Sequence, residues 1–169
     1  MLLKRFDSNG ASVSSFGTNG VVSVVSGSNA VHHTSLALEG SGNIYVTWLH
    51  ENTFALAVKK YTNQGLSIVS FGSNGMLSVT TATDSQEQPQ LLVTNTGSFS
   101  VIWSDMRNGI DFSISARNYS SQGVLNASFG SQGELSLVAN EGNQRRAIAL
   151  LDSAGDMYLV WDDTRSGVN

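Results

Sequence analysis

No cysteine occurs in the 169 residues, which excludes disulfides, zinc–thiolate centres and thiol nucleophiles. Charge is scarce: Asp, Glu, Lys and Arg make up 13% of the chain, against roughly 25% in an average globular protein. Lys and Arg number 9 and the net charge is −4. That is too little for the basic stripe that a nucleic acid or an anionic membrane surface needs. No run approaches the roughly 18 apolar residues of a bilayer-spanning helix, so no membrane insertion is expected. The opening "MLLKRF" is too short and wrongly ordered for a signal peptide, so an exported parent protein is expected to carry its signal outside this chain. Gly, Ser, Asn and Thr fill the place of the missing charges. All four rank low as helix formers and suit turns and polar strand faces. The length fits one domain with a real core.

What the chain does contain is a repeat. The tryptophans are Trp48, Trp103 and Trp161, spaced 55 and 58 residues apart. Phe16, Phe71 and Phe129 have the same two spacings. Each Phe sits in a Gly-rich hexapeptide: "SFGTNG", "SFGSNG" and "SFGSQG". An aromatic stands ten residues before each Phe, at Phe6, Tyr61 and Tyr119. A glycine follows that aromatic by four, at Gly10, Gly65 and Gly123. The three-residue length difference falls after the second Trp, in "WSDMRNGID", where an exposed turn is expected. The units run approximately over 1–58, 59–116 and 117–169.

Each unit reads as β. "NIYVTW", "SFSVIW" and "DMYLVW" are apolar, β-branched and aromatic runs, and "VVSVV", "MLSVT" and "ELSLV" alternate. No sustained 3.6-residue period appears. About four strands per unit predicts an all-β, propeller-like repeat with blade-sized antiparallel units. A β-solenoid is the main alternative, although its rungs are usually shorter. The first and last segments are expected to supply two strands each, together one blade. Three blade equivalents fall below the usual four to eight. The expectation is therefore a piece of a larger propeller or a self-associating chain.

Two stretches, "RFDSNGASVSSFGTNGVVSV" and "KKYTNQGLSIVSFGSNGMLSV", resemble the delta-sixty repeats of bacterial surface and secreted proteins. In addition, "VIWSDMRNGIDFSISARNYSSQG" and "LVWDDTRSG" resemble Trp-x-Asp-x-Arg-x-Gly repeats of large secreted bacterial proteins with sialidase-like propellers. The resemblance covers nearly the whole chain. It implies an extracellular or cell-surface location and a non-catalytic adhesion or binding role. The first unit departs from the Trp motif, since "WLHEN" has neither the Asp nor the Arg. A sialidase-type Asp-box is absent.

Candidate sites are few. The "SFGxxG" loops open strands rather than helices and no Lys follows them. They are read as corners with buried Phe anchors, not as phosphate cradles. Asp105, Asn108 and Asp111 could contribute oxygens to a calcium ion, but calcium wants six to eight. An Asx-type turn with an Asp–Arg pair is the simpler reading, and no cofactor is expected. His32, Glu87 and Arg145 share one register position and vary in chemistry, which suggests a binding rim. Adjacent His32 and His33 on a regular strand would face opposite ways and chelate poorly. Catalysis lacks a partnered nucleophile or convergent carboxylates. Asp84, Glu87, Asp105 and Asp163 are scattered, and Arg107 and Arg165 are repeat equivalents. The Trp and Phe markers are expected to be packing residues. The functional expectation is a non-enzymatic binding, adhesion or scaffolding module with an undetermined protein or glycan ligand. A carbohydrate-binding or glycosidase-related propeller is the first alternative, and a self-assembling fibre or surface component is the second.

Overall fold

The computed structural model describes residues 1–27, 31–81, 85–107, 109–137 and 142–164. Twelve strands and no helix occur among them. They are β1 (Leu2–Lys4), β2 (Val21–Ser23), β3 (Val31–Leu38), β4 (Ile44–His50), β5 (Leu56–Tyr61) and β6 (Met76–Ser78). The series continues with β7 (Gln86–Val93), β8 (Phe99–Asp105), β9 (Ser113–Tyr119), β10 (Glu134–Leu137), β11 (Gln144–Leu151) and β12 (Met157–Asp163). They form four antiparallel sheets, none closed: β1-β2, β3-β4-β5-β6, β7-β8-β9-β10 and β11-β12. Each four-stranded sheet is a meander of sequence neighbours. The sheets are offset from the sequence units, so one sheet joins the second half of one unit to the first part of the next.

Three apolar clusters hold the sheets face to face. Phe16, Val22 and Val24 of the first sheet region pack on Ile44, Val46, Trp48 and Ala57 of the second. Tyr45, Leu56, Val58 and Phe71 pack on Leu91, Phe99, Val101 and Trp103. Ile102, Ile114 and Ala116 pack on Ala147 and Ala149, with Phe129 and Trp161 partly buried beside them. Each Trp thus lies on the sheet face turned toward the preceding sheet. Trp48, Trp103, Phe16 and Phe71 are fully buried. Large aromatics dominate such cores because each removes roughly 150–250 Å² from water.

The hexapeptides are corners. Thr18 and Val21 exchange backbone hydrogen bonds of 2.9 and 3.2 Å around Asn19 and Gly20, both at positive φ. Ser73–Met76 and Ser131–Glu134 repeat the same hairpin. This is the two-residue turn that Asn-Gly favours, because both central residues must be left-handed. The corner also locks onto the next sheet. Gly17 N donates to Gln64 O at 2.8 Å, and Gly72 N donates to Gln122 O at 2.9 Å. A Cβ on Gly72 would lie 2.4 Å from Met76 O, so the approach requires glycine.

Candidate functional site

The first strand of each later sheet carries a β-bulge at the same register. It falls between His32 and Ser35 on β3, between Glu87 and Gln90 on β7, and between Arg145 and Ile148 on β11. Within each bulge a non-glycine residue is left-handed: His33 at φ 48°, Gln88 at 53° and Arg146 at 56°. Such a conformation costs an L-residue about 1–2 kcal/mol. Conserved geometry at three unlike residues means that the backbone shape, not the side chain, is what repeats. Bulges re-aim side chains and gather at sheet rims and beside sites.

β3, β7 and β11 lie side by side in that order. Side chains cross between them: Leu91 N donates to Ser35 Oγ at 3.3 Å, and Ala149 N donates to Gln90 Oε1 at 3.0 Å. The row brings Glu87 and Arg145 within 4.0 Å. The Arg145 guanidinium also stacks 3.8 Å from the Phe112 ring centre. His32 turns away, to Glu51 at 3.2 Å. Because the bulge breaks strand alternation, the His32 and His33 rings come within 6.3 Å of each other. An open groove of about 300 Å³ lies between β3 and β7, lined by His33, Ser35, Gln88 and Gln90 among others. Gln86 Nε2, Gln88 Oε1, Gln144 Oε1 and Arg145 Nε are buried without a protein partner among the described residues. Buried polar atoms demand partners; a fifth such atom, Ser104 Oγ, lies on β8 outside this row.

The Trp-x-Asp-x-Arg stretch is a clamp. Asp105, on β8, accepts from Trp103 Nε1 at 2.9 Å and from Arg107 N at 3.0 Å. Arg107 Nε closes on it at 2.6 Å, and Arg107 and Arg117 both reach Glu134 on β10. Burial disfavours the Arg107 charge, but Glu134 and Asp105 outweigh that and raise its pKa. Both Asp105 oxygens have partners within the chain. Asp111 is engaged as well, while Asn108, Asp84, Arg165 and Gly167 lie outside the described residues. No group of three or more His, Cys, Asp or Glu side chains placed to hold a metal occurs among the described residues. In the first unit His50 takes the place of the Asp: its Nε2 accepts from Trp48 Nε1 at 3.0 Å. That bond fixes the His50 proton, when neutral, on Nδ1.

A second buried charge pair was not signalled by any motif. Glu39 and Lys60 lie 2.9 Å apart, each side chain about 8% exposed. Burial opposes ionisation of Glu39, yet hydrogen bonds from Ser41, Lys60, Asn43 and Tyr45 pull its pKa down to about 2. Tyr45 Oη also lies 2.8 Å from Gly97 O, which competes with Glu39 for its single proton, and Lys60 Nζ donates to Ser121 O at 3.4 Å. The cluster therefore joins the β3–β4 turn to the two turns of the next sheet. Thr94 and Asp152 hold the equivalent positions and cap their own turns instead. At this register position, the placement of Glu39 beside the buried Lys60 is what distinguishes it from Thr94 and Asp152.

None of the protein families, curated proteins or solved structures compared with the chain matches it.

Proposed function

We propose that the chain is a propeller-like, non-catalytic repeat module that binds a ligand along the row of bulges on β3, β7 and β11. One observation carries this reading: three equivalent left-handed bulges present different chemistry at each step, His32–His33, Glu87–Gln88 and Arg145–Arg146. A scaffold that repeats its backbone while varying one exposed row is organised for recognition. Stacking of successive meanders with their first strands adjacent supports the propeller-like arrangement. The resemblance to delta-sixty and Trp-x-Asp-x-Arg-x-Gly repeats supports a cell-surface or secreted setting. The ligand class that fits is polar, a glycan or a protein segment, because the groove offers amides, hydroxyls and an imidazole, with the Glu87–Arg145 pair further along the row.

The test is a glycan and peptide array probed with the wild-type chain and with a Glu87→Gln/Arg145→Met variant. Binding should fall at least about tenfold in the variant, equivalent to about 1.4 kcal/mol, with the thermal unfolding midpoint little changed. Binding that ignores both substitutions overturns the site. Turnover of a glycoside by the wild type would replace this reading with the glycosidase-related one.

A further inference from the structure

β4 ends in an indole bond whose acceptor differs from that on β8. Trp48 is buried, and its Nε1 donates to His50 Nε2 at 3.0 Å. The two rings stand edge to face, 5.7 Å apart and at 71°. Asp105 and Asp163 hold the place of His50 in the other two units. In the second unit Trp103 Nε1 donates to Asp105 Oδ2 at 2.9 Å, and the same carboxylate takes the Arg107 guanidinium at 2.6 Å.

The change of acceptor changes what acid does. An imidazole nitrogen accepts a hydrogen bond only while it carries no proton. With Nε2 turned to the indole, a second proton on the ring sets two N–H groups against each other. The indole N–H is then buried with no acceptor, an arrangement that costs folded proteins dearly. Imidazole is the side chain that ordinarily changes charge between about pH 5 and pH 8. Carboxylates ordinarily do so at about pH 4.

The surroundings give an imidazolium little to hold. Val31 lies opposite His50 on β3, and Val22, Val24, Val25 and Ala57 pack around the indole. The charged and titratable groups of this region are engaged elsewhere. Glu51, next in the chain, faces His32 of β3 at 3.2 Å, with His33 beside it. Lys59 of β5 donates to Val24 O at 2.8 Å, and the Met1 amino group donates to Val25 O at 2.9 Å. Among the described residues no carboxylate forms an ion pair with His50.

His50 also anchors the turn that follows. Its N donates to Ala55 O at 3.0 Å, and its carbonyl accepts from Phe54 N at 2.8 Å. Phe54 is left-handed at φ 50°, a conformation that persists in a bulky residue only where its surroundings hold it. The indole bond and both backbone bonds of the turn therefore converge on one residue.

We propose that Trp48–His50 is an acid-opened latch. Protonation of His50 Nε2 breaks the indole bond and loosens the turn over 51–54, while the Trp103–Asp105 clamp stays shut. The turn carries Glu51 to His32, where the β3 bulge begins, so the loosening reaches the first step of the bulge row. The latch does not depend on the binding reading of that row; its effect on a ligand does.

A nitrogen–proton correlation spectrum of the 169-residue chain reads each tryptophan indole separately. As pH falls from about 8 to about 5, the Trp48 indole proton should move upfield and exchange faster with water. The Phe54 amide should lose protection over the same range, and the Trp103 indole should hold its position. The His50 ring nitrogens, followed in the same sample, should titrate with the midpoint of the Trp48 shift. His50→Gln keeps an uncharged acceptor and should leave Trp48 independent of pH; His32→Gln should leave the Trp48 transition in place. A Trp48 indole that does not move, a midpoint unlike that of His50, movement that survives His50→Gln or vanishes in His32→Gln, or a Trp103 indole that moves with it overturns the proposal. No ligand enters the measurement, so its failure leaves the binding site standing, and failure of the array test leaves the latch standing.

Discussion

Asp105 shows how much one side chain settles in this fold. It is buried and receives the Trp103 indole, the Arg107 amide and the Arg107 guanidinium. Removing it strands a buried indole N–H and leaves Arg107 with Glu134 and the Ser115 hydroxyl. Asp105→Ala should lower unfolding stability by about 3 kcal/mol, measured by urea denaturation; a loss below about 1 kcal/mol would contradict the clamp. The glycines separate in the same way. Gly72→Ala puts a methyl 2.4 Å from Met76 O, whereas a Cβ on Gly10 meets nothing within 4 Å. Both positions are left-handed, so each substitution costs about 1 kcal/mol from conformation. The Gly72 variant should lose at least twice as much stability as the Gly10 variant. Equal losses would mean that the corner tolerates displacement. Trp48, Trp103, Phe16 and Phe71 were legible as packing residues because their spacing is invariant. The role of His50 was not, because the motif specifies Asp while the indole needs only an acceptor.

At the scale of elements, the strands and their turns could be read, and the bulges could not. A bulge announces itself in sequence when it uses glycine; here the left-handed residues are His33, Gln88 and Arg146. Periodicity of two fails at this point, so His33 does not face away from His32 as strand alternation predicts. The site residues Glu87 and Arg145 were found through repeat register alone, and their proximity came only with the stacking of β7 on β11. The Glu39–Lys60 joint was invisible for a different reason: its partners come from separate turns and no spacing marks them. Its consequence is testable through acid. The ordinary carboxyl value of 4.5 falls to about 2 in the folded chain. A depressed folded-state pKa contributes stability that is complete above about 4.5 and is lost as pH falls through about 2. The unfolding midpoint should drop across that interval, and Glu39→Gln should flatten the drop. An unchanged slope in the variant would assign the acid sensitivity to other carboxylates.

Across the whole molecule, four sheets stack through three clusters built from the same residue positions. The all-β class and the antiparallel pairing were legible in the short alternating and β-branched runs. The offset of the sheets from the sequence units follows from the register of the Trp and Phe markers. The way one sheet packs on the next was not legible, because it depends on contacts between distant segments that no single residue encodes. Nearest-neighbour contacts account for almost all of the packing, as expected for quasi-one-dimensional folds.

The corner bond has a direction. Gly17 is satisfied by Gln64 and Gly72 by Gln122, always by a carbonyl that emerges later from the ribosome. The corner bond can form only once the following turn exists, so each of these two corners depends for its last hydrogen bond on the segment that comes after it.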